Sequence, residues 1–119
     1  MTSVPKSISI LATILFITPL ACAHARPKAM IPAADSAGPA PAKIIVTFSE
    51  PVEARFSSLT VTDEKGVPVS KEHSLAEEKD PKTLTLALPS LVPGGYLVHW
   101  ISVAPDGHRM EGEYKFIVK

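Results

Sequence analysis

Cysteine is nearly missing from this chain of 119 residues, where Cys22 is the single example. Cys22 also sits in a segment that reads as removed on export, so the mature chain has neither a disulfide nor a thiolate metal site open to it. Net charge is missing as well, since 12 basic residues balance 12 acidic ones. Nucleic-acid binding normally needs a basic stripe, and a neutral, mixed surface argues against it. No apolar run reaches the roughly 20 residues that span a bilayer. The sequence has no Gly-rich phosphate loop, no G-x-S-x-G elbow, no H-E-x-x-H, no pair of carboxylates in a recognisable setting and no internal repeat. Those absences close most routes to catalysis.

What is present begins with an export signal. Lys6 supplies a positive start, and residues 8–20 form an apolar run of 13 residues, the length of a signal-peptide core. Ala21-Cys22-Ala23 follows as a small-x-small cleavage site that leaves His24 at the new N-terminus. Two alternatives stay open. Ala23-His24-Ala25 is a second such triplet, and cutting there gives a chain that starts at Arg26. Cys22 is also a possible lipidation point, although Pro19 stands three residues before it, where an aliphatic residue is wanted. The expected division is therefore a signal over 1–23 and one domain over 24–119, with 11 basic and 12 acidic residues in the latter. Export takes that domain out of the cytoplasm.

Along the mature chain, four prolines (Pro27, Pro32, Pro39 and Pro41) make residues 25–42 an extended arm or edge segment. Period-two alternation then predicts strands at 43–48, 57–62, 83–88, 96–103 and 112–118, with a brief apolar piece at 67–70. Residues 71–82 are charged and read as a surface crossover loop, in which Asp80-Pro81 would end any helical turn. Glu64-Lys65-Gly66 and Pro93-Gly94-Gly95 are turn signals. Six or seven short strands with such turns indicate an all-β sandwich or barrel.

Chemistry rests on four histidines: His24, His73, His99 and His108. Pro105-Asp106-Gly107-His108 favours a tight turn between the last two strands, from which a carboxylate and an imidazole can share a metal ion. An Asp-Gly turn followed by a surface histidine is common, so the turn alone is weak. A mature N-terminal His24 strengthens it, because its α-amine and ring nitrogen form a chelate. An unperturbed α-amine has a pKa of about 7.7–8.0, more than two units below lysine, so a metal displaces its proton at modest cost. Amine, two imidazoles and a carboxylate form a tetragonal N,O set that suits Cu(II). His99 reads as a half-buried or surface strand residue and His73 as solvated. Met30 and Met110 read as packing residues, and Glu50, at a strand end, faces the metal or water.

These residues resemble a known family. His24-Ala25, Ala40-Pro41-Ala42-Lys43-Ile44, Phe48-Ser49-Glu50, Asp80-Pro81-Lys82-Thr83, Gly95-Tyr96-Leu97-Val98-His99-Trp100, Asp106-Gly107-His108 and Gly112 with Phe116-Ile117-Val118 together resemble CopC, the periplasmic copper-resistance domain. The resemblance implies a Greek-key β-sandwich of about seven strands. It also implies a monomeric copper carrier or buffer, not an enzyme, with a Cu(II) site on His24, Asp106 and His108. Glu50 lies near or in that site in some members. A CopD-type inner-membrane copper transporter is the implied partner. Some CopC proteins hold Cu(I) in a methionine-rich loop, whereas residues 51–70 contain no Met here. Pro27 and Ile101 replace the family's usual aliphatic and Arg. The competing readings are a histidine-brace copper oxygenase and a metal-free interaction sandwich.

Overall fold

The computed structural model describes residues 2–3 and 24–119. The expected signal, with its cleavage and lipidation points up to Ala23, otherwise lies outside the described residues. Eight strands form: β1 (Pro27–Ile31), β2 (Ser36–Gly38), β3 (Lys43–Phe48), β4 (Ser58–Asp63), β5 (Leu75–Glu77), β6 (Asp80–Ala87), β7 (Gly94–Val103) and β8 (Arg109–Val118). They build two four-stranded sheets, in the orders β1-β3-β6-β5 and β2-β8-β7-β4. The chain passes back and forth between the sheets before closing on the β7–β8 hairpin, as a sandwich requires.

The alternating strands put their apolar faces inside, as expected. Ile44, Val46 and Phe48 from β3, Leu84 and Leu86 from β6, Val98 and Trp100 from β7, and Tyr114, Phe116 and Val118 from β8 are all buried. Each such side chain contributes about 1.5–3 kcal/mol by leaving water. Phe48 meets Trp100 edge-on at 5.9 Å, and Tyr96 stacks on Phe116 at 5.5 Å. Met30 and Met110 pack against this cluster, which gives both thioethers the packing role expected of them.

The structure differs from the expectation in strand count, and the reasons are local. The proline-rich arm supplies two edge strands: β1 antiparallel to β3 and β2 parallel to β8. An edge strand needs donors on one side only, so prolines are tolerated there. Residues 67–70 form no strand, only a bridge from Pro68 to Thr62. Within the charged crossover, β5 pairs with β6, and β6 starts at Asp80 instead of Thr83. The Asp80 carboxylate accepts from Lys82 N–H at 3.0 Å and Thr83 Oγ1–H at 2.6 Å. Those bonds hold its carboxyl below the ordinary range, the Thr83 hydroxyl being the main cause.

One core polar group lacks a partner among the described residues: the Tyr114 hydroxyl. Burial pushes its ionisation upward, so it stays a neutral O–H. An unpaired buried hydroxyl costs about 1–3 kcal/mol. Tyr114→Phe is therefore expected to stabilise the fold by about 1 kcal/mol. Urea denaturation should show a higher midpoint at unchanged slope. A lower midpoint would mean that the hydroxyl has a partner after all.

Candidate metal centre

Residues 104–108 turn the chain from β7 into β8. Gly107 N–H donates to Ala104 C=O at 2.8 Å, and Ala104 N–H donates to His108 C=O at 2.9 Å. Gly107 sits at φ 89°, a left-handed conformation that glycine adopts without strain. Asp106 folds its carboxylate back over the turn. One oxygen accepts from His108 N–H at 3.1 Å and the other contacts His108 Nδ1 at 2.7 Å. The backbone N–H bond is the main reason that the Asp106 carboxyl is held below its ordinary range, with the ring contact next. An ionised carboxylate only accepts hydrogen bonds, so Nδ1 carries the hydrogen of this contact. A carboxylate on one ring nitrogen is the usual way of orienting an imidazole whose other nitrogen binds a metal.

The second imidazole arrives from the far end of the sequence. His24 precedes β1, and its ring stands T-shaped to that of His108, with centroids 5.3 Å apart. Three of the four residues proposed from sequence thus meet at one end of the sandwich: His24, Asp106 and His108. Glu50 is exposed, next to Ser49, whose side chain bonds the backbone of residues 24–26. Among the described residues, no three His, Cys, Asp or Glu side chains are placed to hold a metal ion as they stand. In the chain as described, Asp106 is turned onto His108, and His24 is preceded by Ala23, so its nitrogen is an amide instead of an amine.

The other histidines stand elsewhere. His99 points outward from β7, its Nε2 3.0 Å from Glu111, and Glu111 also accepts from Arg109 at 3.2 Å. Those two partners, His99 first, lower the Glu111 carboxyl. His73 is exposed in the crossover. Sequence reasoning missed Ser49 and Ser102, which hold the arm. Ser102 was detectable as the polar residue in the inward-facing series Tyr96, Val98, Trp100 of β7.

A two-sheet β-sandwich with an imidazole pair and a carboxylate gathered at one end defines a class of small metal-handling domains. The CopC domain family model matches residues 28–119, and the chain belongs to the CopC family. The copper resistance protein C of Escherichia coli is 39% identical over 106 residues, covering 83% of this chain and 84% of that protein. Protein YobA of Escherichia coli K12 is 39% identical over 119 residues, covering 98% and 95%. The crystal structure of CopC from Methylosinus trichosporium OB3b superposes with a TM-score of 0.76 at 31% identity, covering 81% of this chain and 94% of that one. PcoC, described as a methionine-rich copper resistance protein from Escherichia coli, gives 0.71 at 38% identity, covering 82% and 100%. The Bacillus subtilis copper transport protein CutJ is 29% identical over 80 residues, which are 66% of this chain and 15% of CutJ. Family membership makes this a copper-binding, copper-resistance-type domain.

Proposed function

We propose that the processed chain is a non-catalytic, monomeric carrier or buffer for a single Cu(II) ion in the periplasm. The observation that carries this reading is the His24–His108 pair, two imidazoles 5.3 Å apart at one end of the sandwich. Signal removal before His24 adds the α-amine. The donors are then that amine, the His24 ring, the His108 ring and the Asp106 carboxylate, a tetragonal N,O set suited to Cu(II). Glu50, beside Ser49 in sequence, is the further candidate carboxylate. Both methionines of the mature chain pack against the core, which supports a site without soft ligands. The match to part of a longer copper transport protein supports a CopD-type membrane transporter as the recipient.

The test is titration of the processed protein with Cu(II), followed by ascorbate. One equivalent should bind and then be released on reduction. Tight retention of Cu(I) would contradict a site without soft ligands. Peroxide formation with oligosaccharide cleavage would favour a histidine-brace oxygenase, and failure to bind copper would leave a metal-free interaction sandwich.

A further inference from the structure

The backbone that carries His24 is held at four points by two serines. Ser49 Oγ–H donates to His24 C=O at 3.2 Å, and the same oxygen accepts from Arg26 N–H at 3.1 Å. Ser49 N–H donates to Arg26 C=O at 2.8 Å. Ser102 Oγ–H donates to Ala25 C=O at 2.6 Å. Ser102 has 0% of its surface exposed and Ala25 has 1%, so this last bond is sealed from water.

A hydroxyl in a core is destabilising unless it is bonded. The inward face of β7 runs Tyr96, Val98, Trp100 and then Ser102, a polar residue where the alternation calls for an apolar one. The hydrogen bond it donates goes to the carbonyl of the residue after His24. Chain ends normally fray. A metal that must order its own ligands binds more weakly than one that meets them already placed.

We infer that Ser102 and Ser49 are positioning residues of the copper site, latching the main chain of residues 24–26 so that the amine and ring of His24 face His108. The inference rests on the copper reading above. The latch depends on where the chain is cut. A chain beginning at Arg26 would leave the Ser102 hydroxyl buried without its acceptor and would empty the space that Ala25 fills.

The experiment uses the processed protein starting at His24, with Cu(II) affinity read by chelator competition and the site read by Cu(II) electron paramagnetic resonance. Ser102→Ala, which removes one hydrogen bond, and Ser49→Ala, which removes two longer ones, should each weaken binding by about five- to tenfold. Both should broaden or shift the copper signal. Ser49 is exposed, so Ser49→Ala carries little folding risk. Ser49→Thr keeps the hydroxyl and should restore affinity. In a His24→Ala background, where only the α-amine is left to be positioned, the effect of each serine change should shrink, which a merely structural role would not produce. If His24→Ala weakens copper but both serine variants bind like the parent, the latch is wrong and the site stands. If His24→Ala itself changes nothing, the copper reading fails and the latch with it.

Discussion

A chain processed to begin at Arg26 is expected to bind Cu(II) more than about a hundredfold more weakly than one beginning at His24, beyond what losing an outer partner of a metal ligand costs. The shift removes two donors at once. The His24 ring disappears from its place 5.3 Å from His108, and the new amine starts two residues further along the arm. Ala25 is lost as well, together with its carbonyl bond to Ser102. The measurement is chelator competition on protein cut to start at His24, at Arg26, and at Ala23. The Ala23 start separates the two donors, because it keeps the ring and converts the His24 nitrogen to an amide. It should fall between the others. His108→Ala should also weaken binding, but by less than the Arg26 start, since it removes one donor instead of two. Equal affinity for the His24 and Arg26 starts would place the copper elsewhere on the sandwich.

That result bears on how much the sequence could show. Strands β3, β6, β7 and β8 were legible because each buries one face and exposes the other, which writes a period of two into the residues. β4, an edge strand, was legible too, from inward-facing Leu59 and Val61. β1 read only as part of an extended arm or edge segment, and β2 and β5 are too short to write an alternation. Leu75 of β5 is 67% exposed, and its segment becomes a strand only through pairing with β6. Asp80 looked like part of a crossover loop. Its carboxylate instead starts β6 by bonding Lys82 and Thr83.

The site divides in the same way. Asp106 and His108 were legible from turn chemistry, because Pro-Asp-Gly dictates a local geometry. His24 became a candidate only through the export signal before it, since nothing in its own neighbourhood marks a metal ligand. The latch was illegible because its partners lie far apart in sequence: Ser102 reaches Ala25 across 77 positions, and Ser49 reaches His24 across 25. A polar residue in an inward register signals that some group must meet it. Which group does so is a property of the fold.

Gly112 is the position where one added methyl should do the most damage to that fold. It lies directly across from Trp100 in the β7–β8 ladder, and the indole rests on it. A Cβ there would stand 2.6 Å from Trp100 Cζ2 and 2.9 Å from Cε2, closer than carbon atoms approach. The indole is rigid and packs on Phe48 at 5.9 Å, so it must shift or swing out of the core. Overpacking of this kind costs about 1–3 kcal/mol. Relief of glycine's extra chain entropy returns only about 0.5–1 kcal/mol. Gly112→Ala is therefore expected to lower stability by about 1 kcal/mol, or roughly 5 °C in Tm for a domain of this size. Thermal unfolding followed by circular dichroism measures it, and a Tm equal to or above the parent's would refute the clash. The atoms nearest the added methyl belong to the indole, so the cost should shrink in a Trp100→Phe background. Ser102 follows Trp100 by two residues on the same inward face, so a displaced indole disturbs the strand that holds the copper-binding arm. Gly112→Ala should thus weaken Cu(II) binding together with stability, although no proposed ligand has changed.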